Sequence, residues 1–351
     1  MTTFPLLKLP DLAINEVARQ IEPSDIIQLT MISARFKRYL TQNKLFLDTL
    51  TWEMPASMSL KFSKFTIAIS VEQNCPDSRP RKINNSIMQM SVHRKRNEPL
   101  TRWHLKHDSC HWDLLENLTI HLLSILNVKH FDFTSEFQIS SYNKLFVWKY
   151  AEKFTTIAIL PWLKYPAFLS QENMLHFLEV VKTDELQFNA KCEHFQYTGS
   201  VKCSKLHLGE LSWVTNEFLK NMECREVLLR GDSGAHLNYN QLFRQWIDGE
   251  GNEMLEELNV CFGEKTQCDR KKFLEGIEVE MSILSAADLK RRQARIERVV
   301  GDIRRKTDGR LATITVYPPP HASIQMIVWH SKHMEEWDKE TKEKFNNLIK
   351  N

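Results

Sequence analysis

Cys203-Ser-Lys-Leu206-His-Leu208 and Cys224-Arg-Glu-Val227-Leu-Leu229 share one spacing, in which three apolar positions are separated by two residues and then by one. Phe154, Ile157 and Ile159 repeat it, as do Leu255, Leu258 and Val260, and Leu115, Leu118 and Ile120. Thr183, Leu186 and Phe188 match two positions of the three. A strand turns alternate side chains to opposite faces, so the last two apolar positions of each copy read as the buried side of a short strand.

Helical patterns lie between the copies, at Gln171 to Val181, Val214 to Met222 and Tyr239 to Asp248, the last with Leu242, Phe243, Trp246 and Ile247. A strand and a helix recurring in this way form the unit of a leucine-rich-repeat-like solenoid, in which each unit buries its face against the next. The copies are unevenly spaced and lack an asparagine ladder, and a non-repeating α/β sandwich is the alternative. On the solenoid reading the residues flanking the buried positions face outward as a substrate-binding surface: Glu185, Gln187, Lys205, His207, Glu226, Leu228, Glu257 and Asn259. Their mixed charge suits a protein better than a nucleic acid.

At 351 residues, 42% hydrophobic and 26% charged, the chain has room for about two domains and is not of a disordered or collagen-like class. A net charge of +3 is too mild to argue for nucleic acid. Cysteines 75, 110, 192, 203, 224, 261 and 268 form no C-x-x-C pair, which suits reduced thiols and a cytoplasmic or nuclear location. No secretory leader or membrane span is expected, and the acceptor-like Asn84 and Asn117 carry little weight without one. Phosphate loops, zinc-peptidase helices and nucleophile elbows are absent, and ten glycines are few for nucleotide-binding loops. The soft ligands His107, Cys110 and His111, and Cys192 with His194, have no matching second pair. No catalytic residue, metal or cofactor is therefore expected, and the isolated cysteines read as small core residues.

Strands are expected over Lys64 to Val71 and Ser86 to Val92, with a polar loop from Glu72 to Asn85 between them and a basic connecting stretch around Trp103. Ser285 to Val300 has a helical pattern ended by Gly301, with Arg291, Arg292, Arg295 and Arg298 on its solvated side. Thr307-Asp308-Gly309 signals a hairpin between Asp302–Lys306 and Arg310–Val316, followed by a strand from Ile324 to Trp329 and a charged helix from His333 onward.

The N-terminal forty residues read as three short amphipathic helices: Asp11 caps a run with Ile14, Val17, Ala18 and Ile21; Ser24 and Asp25 offer a second cap, before Ile26, Ile27, Leu29 and Ile32; Ser33 caps a run with Phe36, Tyr39 and Leu40. So short a segment cannot bury this apolar surface alone, which predicts docking to a partner or to the rest of the chain. Leu9-Pro10, the Glu22-Pro23-Ser24-Asp25 hinge, Ile26-Ile27-Gln28-Leu29 and Ile32-Ser33-Ala34-Arg35-Phe36 resemble an F-box in order and register, with Phe36 where Trp is usual and Ile32 where Val is usual. The later segments Trp213 to Met222, Leu255 to Leu258, Asp302 to Arg310 and Ile327 to Trp329 are similar to the F-box-associated domain, second type, of nematode F-box families.

This resemblance implies an α+β or α/β chain with an F-box at 1–45, a strand hairpin and basic connection at 46–110, and an irregular leucine-rich-repeat-like α/β domain with a C-terminal hairpin and strand at 111–351. It implies a non-catalytic substrate adaptor of a Skp-cullin-F-box ubiquitin ligase. Leu9, Pro10, Ile26, Ile27, Leu29, Ile32 and Phe36 would touch a Skp-type adaptor, and through it a cullin, while the C-terminal domain holds a protein substrate. The alternative is a nucleic-acid-associated or scaffolding protein without ligase assembly.

Overall fold

Apolar residues at steps of three and four between Asp11 and Leu40 form three helices, α1 (Asp11–Gln20), α2 (Pro23–Ile32) and α3 (Ala34–Gln42). The structure, a computed structural model, describes residues 10–72, 78–83, 86–94, 98–106, 111–136, 139–160, 166–231, 234–262, 270–282, 299–317 and 322–330, together with Lys339 and Glu343. Ser33 caps α3 as expected, its Oγ accepting the Phe36 amide at 3.2 Å. The other two caps differ. α1 starts at Asp11 itself with Pro10 in the cap position, and α2 starts one residue before Ser24, at Pro23, whose fixed φ suits the first helical position. Ser24 is buried, and its hydroxyl accepts the indole N–H of Trp103 at 3.2 Å.

The chain forms two compact units that divide between Ile157 and Ala158. The first therefore takes in the N-terminal helices, the strand region after them and the start of the expected C-terminal domain, rather than ending near residue 110. Its strands are β1 (Leu45–Met54), β2 (Ser57–Lys61), β3 (Thr66–Val71), β4 (Arg79–Ile83), β5 (Ser86–Arg94) and β6 (Leu100–Lys106), then after α4 (His111–Ile125) come β7 (Leu126–Ser135) and β8 (Phe154–Ile159), which carries the division. The sheet runs β7-β1-β2-β3-β6-β5-β4, with β7 parallel to β1 and β6 parallel to β3. Residues 72–85, expected as a loop, contain β4, and the basic stretch contains β6. There Thr101, Trp103 and Leu105 are buried while Arg102 and Lys106 are exposed, so period-2 alternation decides the element despite its charge. Leu115, Leu118 and Ile120, expected on a strand, lie in α4; Leu115 and Leu118 are buried, and the two-residue step to Ile120 swings it off that face to 42% exposure.

In the second unit β9 (Ala167–Phe168) and α5 (Gln171–Leu175), continued by a π-helical turn at His176–Val180, precede β10 (Thr183–Phe188) and β11 (Ala190–Lys191). Then come β12 (Lys202–Leu208), α6 (Asn216–Asn221), β13 (Glu223–Arg230), α7 (Tyr239–Asp248), β14 (Glu257–Cys261), α8 (Arg270–Phe273), β15 (Val299–Arg304), β16 (Leu311–Tyr317) and β17 (Ser323–Val328). Strands β10, β12, β13 and β14 are parallel neighbours, and β17, β16 and β15 continue the sheet antiparallel.

The repeated spacing appears as two cross-strand columns, Leu186–Leu206–Val227–Leu258 and Phe188–Leu208–Leu229–Val260, every member buried. Beside them Phe188 packs edge-on to Trp213, which meets Phe218 of α6. Trp213 and Trp246 have no exposed surface, and each large buried side chain contributes about 2–3 kcal/mol of transfer free energy.

The Thr307-Asp308-Gly309 hairpin forms between β15 and β16. Gly301 does not end a helix. It lies in β15 at φ +151° beside a register shift, and a Cβ there would sit on the Glu280 carbonyl oxygen. Val299 and Val300, read as the end of a helix, are in β15; residues 283–298, and the expected C-terminal helix apart from Lys339 and Glu343, lie outside the described residues.

Candidate functional site

Successive Cα atoms of a strand point to opposite faces, so residues between the buried columns of the second unit share the other face. In-register pairing aligns them in two rows, Glu185–Lys205–Glu226–Glu257 and Gln187–His207–Leu228–Asn259. All eight residues expected to bind substrate are thus brought together, and all are half-buried. Neighbouring members stand about 4.8 Å apart, the strand spacing.

The first row holds three carboxylates and one ammonium. Lys205 Nζ lies 2.8 Å from Glu226 Oε2, and this hydrogen bond, outweighing burial and helped by the charges of Glu226, Glu185 and Glu257, raises the lysine above its ordinary range. Gln187 Nε2 donates to Glu185 Oε1 at 2.6 Å and Gln325 Nε2 to Glu257 Oε1 at 2.9 Å, so amides orient the two outer carboxylates. On β17 and β16 the same face is buried at Ile327, Thr313 and Thr315, which bounds the open patch at β14. Leu228 adds an apolar centre between His207 and Asn259. The patch can hold a cationic or amphipathic segment, with carboxylates along one edge.

The adaptor-binding set divides. Ser24, Ile26, Ile27, Thr30 and Met31 are buried on one side of α2, while Asp25, Gln28, Leu29 and Ile32, at i, i+3, i+4 and i+7, form the other side. Ile26, Ile27 and Phe36 are 1%, 0% and 1% exposed, so the expectation that they meet a partner is corrected: they are sealed within the first unit. Apolar residues surround α2, and their periodicity alone did not distinguish the side that packs inward. Leu29 is half-buried, Pro10 exposed and Ile32 63% exposed; Leu9 lies outside the described residues.

The sealed side is fixed by polar contacts that the sequence reading missed. Thr30 Oγ1 donates to the Ile27 carbonyl at 2.6 Å and accepts from His121 Nε2 of α4 at 2.8 Å, while Glu22 pairs with Arg94 at the exposed start of the helix. Burial, with the charge of Lys37, drops the His121 pKa to about 4 and keeps its ring neutral.

Ser70, Glu72 and His104 also converge, but Ser70 Oγ, at 3.0 Å, and Glu72 Oε1 both meet His104 Nδ1. A serine-histidine-acid relay needs the two partners on opposite ring nitrogens. Burial pushes the Glu72 carboxyl upward, yet the hydrogen bonds from His104 and Ser70 and the charges of His104 and His93 hold it below its ordinary value. Alternation places Ser70 and His104 on one face, but their pairing needs the parallel β3–β6 register, which no local signal announces.

Among the described residues no group of three or more His, Cys, Asp or Glu is placed to hold a metal ion, and no helix is long and apolar enough to cross a membrane. Cys192 is buried with His194 exposed beyond it, and His107 and Cys110 lie outside the described residues. No family model, no curated protein and no solved structure matches this chain.

Proposed function

We propose that the chain is a non-catalytic substrate adaptor of a Skp-cullin-F-box ubiquitin ligase. The outward side of α2, with Leu29 and Ile32 beside Asp25 and Gln28, and with Pro10, docks a Skp-type adaptor. The two-row face of β10, β12, β13 and β14 holds the protein substrate. The observation that carries this reading is Ile32, held 63% exposed on a helix whose opposite side is locked into the protein. An apolar side chain on a fixed helix suits helix-in-groove recognition, since little ordering is left for binding to impose. The ordered F-box-like spacing from Pro10 to Phe36 supports the same reading.

For the substrate, three carboxylates against one ammonium favour a segment carrying Lys or Arg, with an apolar residue near Leu228. The chain's part in transfer is proximity, raising the effective concentration of substrate lysines near the ubiquitin-charged enzyme without supplying an acid or base.

The test is co-purification of a Skp-type adaptor with the full chain and with the double variant Leu29→Glu, Ile32→Glu, both confirmed folded by circular dichroism. Loss of the adaptor only in the variant supports the reading; retention in the folded variant, or no capture by the natural chain, overturns it. The rival nucleic-acid reading rests on the outward Arg102 and Lys106 of β6. A steep loss of RNA or DNA binding with salt would favour it.

A further inference from the structure

We propose that Cys203 and Cys224 form a redox couple that a peroxide closes to a disulfide across β12 and β13. The two residues are register partners on adjacent parallel strands, and their sulfurs lie 3.5 Å apart. Adjacent strands stand about 4.8 Å apart, inside the roughly 4.4–6.8 Å that a disulfide allows between Cα atoms, and the sulfurs need only close to about 2.05 Å. The pair is 7% and 1% exposed, yet Lys202, Ser204, Glu223 and Arg225 on either side of it are all exposed. A small oxidant therefore reaches it through a slight parting of the strand starts, where a bulky one does not.

The two thiols are not equivalent. Cys203 donates toward Cys224, which draws the Cys224 thiol below its ordinary value; that same bond, with burial, pushes Cys203 up. Cys224 is accordingly the attacking sulfur and Cys203 the resolving one. The Cys224 thiolate attacks one oxygen of hydrogen peroxide: the S–O bond forms, the O–O bond breaks, and hydroxide leaves with the thiol proton as water. Cys203 then attacks the sulfenic sulfur: the S–S bond forms, the S–O bond breaks, and a second water leaves with the Cys203 proton. Two thiols are oxidised and one peroxide is reduced to two waters. The single S–H of Cys203 is shared between Cys224 and the Lys205 carbonyl, which lies 3.2 Å from the sulfur. Closing the disulfide removes that donor and so reaches the backbone beneath Lys205.

The inference is independent of the adaptor reading and is tested on the full chain without any partner. After graded hydrogen peroxide the protein is denatured in N-ethylmaleimide, digested and mapped by mass spectrometry. The expected result is a Cys203–Cys224 linkage two hydrogens lighter than the reduced peptides, reversed by dithiothreitol, with Cys192 and Cys261 still alkylated. In Cys203→Ser the linkage disappears and dimedone traps Cys224 as its sulfenic acid. The proposal is overturned if both thiols stay alkylated while Cys261 oxidises, or if either joins a different cysteine. The map of the natural chain decides this even if the variant fails to fold.

Discussion

His121 Nε2 donates to the hydroxyl of Thr30 across 2.8 Å, tying α4 to α2 inside the first unit. Thr30 passes its own proton to the Ile27 carbonyl, so the imidazole must supply the proton of the shared bond and is fixed in the Nε2–H tautomer. Among the described residues the buried His121 Nδ1 has no hydrogen-bond partner, and a second proton there would bury an unpaired charge.

Stability should therefore depend on this one ring. Its pKa is lowered from 6.5 to about 4, so between these values the unfolded chain takes up a proton that the folded chain refuses. Stability is fully present above about pH 6.5 and falls as pH drops toward 4, by at most about 3 kcal/mol. Urea midpoints at pH 7 and pH 4.5 should differ more for the natural chain than for His121→Gln. Equal pH dependence in the two would show that the ring is not the titrating group.

The two sides of α2 should respond oppositely to the same chemistry. Ile26→Asp buries a charge at a sealed position and should cost on the order of 4 kcal/mol. Ile32→Asp, at an outward position, should change stability by less than about 0.5 kcal/mol. Thermal unfolding of both variants checks this, and a large loss from Ile32→Asp would mean that its side is packed after all.

The sequence alone made the second unit the more legible, because a residue repeat and a strand register are the same geometric fact. The spacing that joins Cys203, Leu206 and Leu208 to Cys224, Val227 and Leu229 becomes cross-strand columns, and the eight outward residues follow by alternation. α7 was also readable, since Tyr239, Leu242, Phe243 and Trp246 are spaced for one buried side and Gly249 closes the helix at φ +77°. β6 was hidden by Arg102 and Lys106, which stand on its open face, and β4 by Pro76 and Pro80, which read as a loop. The direction of α2 could not be read, because which apolar side turns inward depends on Trp103 and His121, both remote in sequence.

Gly301 and Gly309 separate two reasons for needing glycine. At Gly301, φ +151°, a Cβ would run into the Glu280 carbonyl oxygen, so Gly301→Ala combines backbone strain with a clash against main chain. Gly309 has φ +71° and, among the described residues, nothing within 4 Å of a Cβ, which leaves only the conformational penalty of about 1–2 kcal/mol. Denaturant titration should find Gly301→Ala the more damaging by a clear margin, and equal losses would refute the clash.

Removing Lys205 should separate its structural part from its electrostatic one. Its bridge to Glu226 joins side chains 44% and 43% exposed, so solvent screening leaves it worth well under about 1 kcal/mol and Lys205→Met should remain folded with nearly natural stability. The same change leaves Glu185, Glu226 and Glu257 without their only cationic row partner. Binding of a fluorescent Lys- and Arg-rich peptide, followed by anisotropy at low salt, should then be tighter than for the natural chain, with the gain fading as ionic strength rises. In Glu226→Gln the direction reverses and the peptide should bind more weakly. If both variants bind as the natural chain does, this face does not hold the cationic segment of a substrate.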